Sequence, residues 1–152
     1  MKLITLNTTD KIMVDDKDFE FLNQFKWCVL HTGNLDYAIR TIRPHYLMHR
    51  LLFPEFVMID HKDGDGLNNQ RDNLRPCTRS QNQANRRPQS GTSKYKGVSW
   101  EKTRKKWRAY ICVNTQRIKL GDFLTEYEAA LAYNKAAFRA FGEFARLNNV
   151  NL

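Results

Sequence analysis

Cysteine is scarce in this chain and badly spaced for its usual structural uses. Three cysteines, Cys28, Cys77 and Cys112, are scattered over 152 residues, and no CxxC pair occurs. An odd, dispersed set fits neither a disulfide framework nor a Cys-rich zinc site. Long hydrophobic runs are also missing: none approaches the roughly 18 residues of a membrane helix. The first residues, MKLITLNTTDKIMVDD, lack the continuous apolar core of a signal peptide. A membrane or secreted protein is therefore not expected, and the expected location is a reducing cytoplasm. No coiled-coil heptad or other dimerisation signal occurs, so the expected state is a monomer.

What is present is the composition of a globular chain, 41% hydrophobic, 12% aromatic and 27% charged. Acidic residues are in short supply overall, leaving a net charge of +9 and a polyanion as the expected partner. The excess is uneven. Residues 1–86 carry 12 Lys/Arg against 11 Asp/Glu, whereas residues 87–152 carry 13 against 5. All four histidines, His31, His45, His49 and His61, lie in the near-neutral part. The division places the chemistry in one half and polyanion binding in the other. The basic, Pro/Ser/Gly-containing stretch from Arg86 to Lys94 reads as the linker.

Leu3–Leu6 and Lys11–Val14 around a polar turn predict one hairpin. Trp27–Leu30 and Tyr37–Arg40 around Gly33-Asn34 predict a second. Asp16 or Asp18 is placed to cap a helix over Phe19–Phe25. A short helix is expected within His45–Phe53, stopped by Pro54. Residues 1–44 contain no recognisable chemistry and read as scaffold. Val57–His61 then reads as a buried strand, followed by the polar loop KDGDGLNNQRDN, a return strand over Leu74–Arg79, and a polar helix from Ser80.

Asp60 and His61 end that strand, with Asn73 and Asn82 downstream. If the helix folds back on the hairpin, Asn82 projects toward Asp60. A carboxylate and an amide oxygen suit a hard cation, Mg²⁺ or Mn²⁺. His61, on the opposite strand face, is suited to deprotonate water, and Asn73 to hold its ring. Taken singly these are weak signals, because Asp–His pairs commonly form surface hydrogen bonds and Asn in such loops commonly makes turns.

Residues 47–86 together, LMHRLLFPEF, then IDHKDGDGLNNQRDNLRPCTRSQNQANRR, resemble the HNH endonucleases of phage and homing type. The resemblance implies a ββα-metal fold with one divalent cation, His61 as general base, Asn73 as the central Asn, and Asp60 and Asn82 as metal ligands. The final His of the motif is Asn82 here. The upstream His-Arg pair matches His49-Arg50, and His49 joins the catalytic set, either contacting phosphate or supporting the site. The CxxC pairs of other HNH branches are absent, so structural zinc is not expected.

In the basic half, Tyr95–Glu101, Lys106–Val113 and Gln116–Phe123 read as three strands. Thr125-x-x-Glu128 is a capping box before an apolar stripe of Ala129, Ala132, Tyr133, Ala136, Ala137 and Ala140, ended by Gly142. Period-two alternation turns Trp107, Ala109, Ile111, Val113, Ile118 and Leu120 toward that helix. It turns Arg108, Tyr110, Cys112, Arg117 and Lys119 outward, where a basic sheet face suits duplex DNA. The pieces Tyr95-Lys96-Gly97-Val98, Lys106-Trp107, Leu120-Gly121-Asp122-Phe123, Thr125–Tyr133, Ala136-Ala137 and Gly142 resemble the plant APETALA/ethylene-response-factor DNA-binding domain over residues 95–148. The first-strand arginines of that family are Lys96, Ser99 and Glu101 here, and a third-strand tryptophan is Lys119. The base preference of the plant proteins is therefore not carried over. The candidate DNA-binding residues are Lys96, Ser99, Trp100, Lys102, Arg104, Lys106, Arg108, Tyr110, Arg117 and Lys119.

The resulting expectation is an α+β protein with an HNH nuclease domain (residues 1–86, core 47–86), a linker (87–94) and a double-stranded-DNA-binding domain (95–150). The resemblance implies a metal-dependent, homing-type endonuclease of a phage or mobile element, acting in bacterial cytoplasm; one active site in a monomer is expected to cut one strand and so to nick. The rivals are a non-catalytic DNA-binding regulator with a decayed nuclease half, and an RNA-binding protein using the same sheet. Joint presence of Asp60, His61, Asn73 and Asn82 argues against decay.

Overall fold

Short apolar segments separated by polar turns can bury only one face each, so this chain pairs them into small antiparallel ladders covered by helices. A computed structural model describes residues 1–6, 9–32, 35–88 and 91–150. The fold is α+β, and the chain divides into two compact units, Met1–Cys77 and Thr78–Leu152. The second unit begins at the N-cap of helix α3 (Arg79–Asn85), a helix that the expected division of the chain places in the nuclease half.

The first unit holds strands β1 (Lys2–Thr5) and β2 (Lys11–Val14), helix α1 (Asp16–Leu22), and strands β3 (Trp27–His31) and β4 (Asp36–Arg40). Helix α2 (Met48–Leu52) and strands β5 (Ile59–His61) and β6 (Leu74–Pro76) follow. The ladders are β1–β2, β3–β4 and β5–β6, all antiparallel. Both expected hairpins form, although the Gly33-Asn34 turn and part of the Asn7–Asp10 turn lie outside the described residues. Ile12, Val14, Leu22 and Met48 are fully buried and centre one core with Ile4, Trp27, Leu52, Ile59 and Leu74. The Trp27 indole donates to the Leu22 carbonyl at 2.8 Å, so its polar atom is satisfied there.

Helix α1 is capped one residue earlier than expected. Asp15 is the N-cap and gives no side-chain cap bond. The acidic residues hold a distant segment instead. Arg71 donates Nε and Nη2 to the two Asp18 carboxylate oxygens at 2.7 and 2.9 Å, and the Asp15 carboxylate accepts from the Arg71 amide at 2.8 Å. Strand β5 is shorter than expected, and Val57 is 89% exposed. The backbone bonding runs one residue past Ile59–Pro76, with the Cys77 N–H donating to the Met58 carbonyl at 3.1 Å, and ends there. Strand β6 stops at Pro76 instead of reaching Arg79, because Thr78 already caps the helix that Arg79 begins. Helix α2 ends before Phe53, whose φ of −136° and ψ of 68° leave the helical region that the following Pro54 disfavours.

The second unit holds α3 (Arg79–Asn85), β7 (Val98–Glu101), β8 (Lys106–Val113), β9 (Gln116–Phe123) and α4 (Glu126–Phe141). Both longer caps are complete capping boxes, Thr78 with Gln81 and Thr125 with Glu128. The sheet order is β7-β8-β9. Val98, Ala109 and Ile111 pack on Ala129, Ala130, Tyr133 and Ala137 of α4. Small residues bring the helix close to the sheet, with Ala130 buried and Ala140, expected inside, exposed. Strand β7 starts three residues later than expected because Gly97 turns the chain at φ 73°. A Cβ there would lie 2.1 Å from the Tyr133 ring, so only glycine admits this approach.

A β-bulge interrupts β8–β9 between Ala109 and Tyr110, where the partner jumps from Gly121 to Lys119. Leu120 is the extra residue and packs on both apolar clusters of the unit. Ile118, expected in the core, is 46% exposed because it lies near the turn on an edge strand. Leu120→Ala is therefore expected to cost about 2 kcal/mol or more. Ile118→Ala should stay under about 1 kcal/mol. Urea unfolding of both variants measures this; equal losses would place the two side chains in the same environment.

Candidate active site and nucleic-acid interface

Strand β5 carries Asp60 and His61 on opposite faces, as period-two alternation requires. Asp60 stands directly across the ladder from Arg75, and the Arg75 guanidinium donates Nε and Nη2 to Asp60 Oδ2 at 3.0 and 2.9 Å. Both side chains are below 10% exposed. A buried pair of this kind does more to orient its members than to stabilise the fold. Arg75 was not singled out from the sequence; its position opposite Asp60 in the hairpin was the available signal.

On the other face, His61 meets His49 of α2 and Tyr37 of β4. The two imidazole rings are 5.0 Å apart and perpendicular, and Tyr37 lies 5.8 Å from His49 and 5.9 Å from His61. Burial, the neighbouring His61 and Arg50 push His49 down to about 3 from an ordinary 6.5. Burial also lowers His61, against smaller opposing effects from Asn69, Asp63, Asp60 and Asp65. Both rings are thus neutral at neutral pH, the form in which imidazole accepts a proton. Tyr37 lies in the segment read as pure scaffold. Gly66 shows how closely β4 approaches the loop: a Cβ there would meet the Asp36 carbonyl at 2.1 Å and the Tyr37 ring at 2.7 Å.

Asn73 does not do what was expected of it. Its Nδ2 donates to Asp63 Oδ1 at 3.0 Å and to the Asn68 carbonyl at 2.8 Å, while its Oδ1 accepts from the Asp63 amide at 3.1 Å. It braces the polar loop, and the amide set against His61 is the fully buried Asn69. The loop is also tied to β2, through Met13 N–H to the Leu67 carbonyl and Asn69 N–H to the Met13 carbonyl at 2.9 and 2.8 Å. Partial burial opposes ionisation of Asp63, but hydrogen bonds from Asp65, Asn68 and Asn73 hold its carboxyl below the usual range. Asn82 lies on α3, in the second unit, half-buried.

Among the described residues, no three His, Cys, Asp or Glu side chains converge as a metal cluster. The donor chemistry at β5 nevertheless fits a hard divalent cation. The strand presents a carboxylate whose Oδ2 is already fixed by a guanidinium, the outer-shell support ligating carboxylates commonly have. All three cysteines are free thiols.

The outer face of the β7–β9 sheet carries Ser99, Arg108, Tyr110, Cys112, Arg117, Lys119 and Asp122. The Arg117 guanidinium lies 3.5 Å from the centre of the Tyr110 ring, a cation–π contact. Lys102, Arg104 and Lys106 are exposed at and beside the β7–β8 turn, and Ser99 is half-buried. Two expected members lie elsewhere. The Lys96 ammonium donates to the carbonyls of Gln83, Ala84 and Arg86 and so closes the C-terminal end of α3. Trp100 is opposite Trp107, with the rings 5.1 Å apart, on the same side of the sheet as Val98 and Ala109.

Two families match the chain: HNH endonuclease over residues 46–84 and the AP2 domain over residues 93–143. An uncharacterized HNH endonuclease of Acanthamoeba polyphaga mimivirus is 30% identical over 135 residues, covering 86% of this chain and 70% of the relative. The chain belongs to the HNH endonuclease family. It joins that HNH region to an AP2-type region, an arrangement that implies DNA as partner. Protein 3.8 of Escherichia phage T7 is 44% identical over 59 residues, 38% of this chain and 49% of that protein. An AP2-like ethylene-responsive transcription factor of Arabidopsis thaliana is 31% identical over 77 residues, 51% of this chain and 16% of the relative. No solved structure matches. The HNH region contains His49, Asp60, His61, Asn73 and Asn82, together with Asn69 and Arg75, which the fold adds. HNH nucleases generally use a divalent metal. Among the described residues no helix is long and apolar enough to cross a membrane.

Neutral, buried imidazoles make this HNH site acid-sensitive. The unfolded chain binds a proton at His49 below about pH 6.5, and the folded chain does so only near 3. Stability is complete above the unfolded value and falls as pH drops toward 3, by about 1.4 kcal/mol per pH unit for one such ring. Hydrogen exchange of the β5 and β6 amides between pH 7 and 4 should show this slope, and His49→Phe should flatten it. A profile that is flat in the wild type would contradict burial of neutral rings.

Proposed function

We propose that this protein is a metal-dependent endonuclease that hydrolyses phosphodiester bonds of double-stranded DNA. Its functional division is a nuclease domain over residues 1–86 with its core at 47–86, a linker over 87–94 and a DNA-docking domain over 95–150. The observation that carries the reading is a neutral, buried His61 beside a carboxylate fixed by Arg75, in a chain whose other half presents a basic sheet. His61 accepts the proton of the attacking water at a ring nitrogen. His49 and Tyr37 hold the imidazole in place and keep bulk water from it. Asp60 and Asn82 are the proposed ligands of a Mg²⁺ or Mn²⁺ ion, which when bound stabilises negative charge on the phosphate and the leaving oxygen. The exposed Lys102, Lys106, Arg117 and neighbouring cations bind the duplex backbone.

One such site in a monomer cuts one strand, so the product is a nick. The mimivirus and phage relatives support a viral or phage origin, and with it a homing-type role in host cytoplasm. Supercoiled plasmid incubated with Mg²⁺, with and without EDTA, tests the reading. Nicked circles should accumulate only without chelator. His61→Ala should lower the rate about 10²–10⁴-fold while leaving duplex affinity unchanged. Asp60→Asn, which keeps an acceptor for Arg75, and Asn82→Ala should each raise the Mg²⁺ concentration for half-maximal rate. Cleavage by His61→Ala at the wild-type rate would reject the assignment, and duplex binding without any cleavage would favour the regulator.

A further inference from the structure

In a regular strand, residues 119 and 122 would point to opposite faces. Here the bulge that turns Leu120 inward shifts the phase of β9, so Lys119, opposite Tyr110, and Asp122, opposite Arg108, share the outer face. Their side chains meet at 2.6 Å, Lys119 Nζ donating to Asp122 Oδ2. The same oxygen accepts from Arg104 Nη1 at 2.9 Å, and Asp122 Oδ1 accepts from Arg108 Nε at 3.0 Å. One carboxylate therefore gathers three cations from two strands and a turn. Arg108 is held from a second side, its Nη1 lying 2.7 Å from Glu101 Oε2.

The layering is informative. The Asp122 side chain is 11% exposed, whereas those of Arg104 and Lys119 are 62% and 47% exposed. The carboxylate is the floor and the cations are the canopy. Lys119 first, then Arg108, hold the Asp122 carboxyl far below the usual carboxylate range, so it is ionised at neutral pH. The cost of fixing long basic side chains is thereby met before any duplex arrives. Three cations with two carboxylates also leave this cluster at a net charge near that of one lysine, which mutes its pull on arbitrary phosphate.

We infer that Asp122 is a positioning residue for sequence discrimination: it presents Arg104, Arg108 and Lys119 as one ordered group to duplex DNA and restrains their indiscriminate attraction. The inference rests on the DNA-docking reading of this sheet. It predicts that removing a negative charge from the interface does more than strengthen binding.

The experiment uses the full chain and a randomised pool of duplexes of fixed length, from which wild-type protein selects its preferred sequences. Affinity for selected and unselected duplex is then measured against salt for wild type, Asp122→Asn and Asp122→Glu. Asp122→Asn should bind the unselected pool at least as tightly, with a salt dependence steeper by about one unit. Its preference for selected over unselected duplex should fall about tenfold, the scale of one lost base contact. Asp122→Glu should recover part of that preference. A purely structural role would instead lower the melting temperature and weaken both duplex sets together, which overturns the inference. So does unchanged preference in Asp122→Asn. If that variant does not fold, Arg104→Gln and Lys119→Gln replace it, and undiminished preference in both has the same meaning. Wild-type protein that binds no duplex would remove the docking reading itself, whereas wild-type selection with indifferent variants would remove only this inference.

Discussion

A carboxylate buried directly across a two-stranded ladder from a guanidinium is the constraint around which the first unit is arranged. Strand β5 is three residues long and could end in many ways. Arg75 decides which: an Asp60 charge taken out of water needs its counter-charge in place, and removing one partner of such a pair typically costs about 3–5 kcal/mol. With Asp60 held on one face of β5, alternation obliges His61 to project from the other. The chemistry of the site follows from that single choice of face.

The surroundings of His61 are built from distant chain segments. Tyr37 comes from β4, His49 from α2 and Asn69 from the polar loop, and Gly66 lets the loop lie against β4 without a side chain between them. The loop is rich in residues that compete for turns, and it satisfies them internally, through Asp63, Asn68 and Asn73. Arg71, held by Asp15 and Asp18, fixes its far end. Acidic residues at the start of α1 are thus spent on the site rather than on the helix cap. A polar loop fixed at both ends can keep two imidazoles dry and neutral, which an untethered loop could not.

The basic sheet follows the opposite logic, with charges kept near solvent. Its cations are divided by partner. Lys96 closes a helix end, Arg104, Arg108 and Lys119 share Asp122, and Arg117 lies on Tyr110. Net charge describes attraction to a polyanion, but it does not say which cations are already engaged. Both units therefore use carboxylates as organisers of basic side chains, once buried at Asp60 and once beneath a solvent-facing canopy at Asp122.

Much was legible in the residues alone. The hairpins around residues 2–14 and 27–40, the three strands of the basic half, the Thr125 capping box and the pairing of Asp60 with His61 at a strand end all rest on local rules: period-two alternation, capping chemistry and the spacing of a motif. Those rules act within a few residues of chain, so one sequence states them fully. Tertiary structure decided what depends on partners far apart in sequence. It moved Asn73 from the histidine ring to the loop and set Asn69 and Tyr37 beside that ring. It placed Arg75 on Asp60, and through the bulge at Leu120 it reversed the phase of β9 so that Asp122 joined the cations. Alternation gives a side chain two faces to choose from, and only long-range packing and the demand that every buried charge find its counter-charge choose between them.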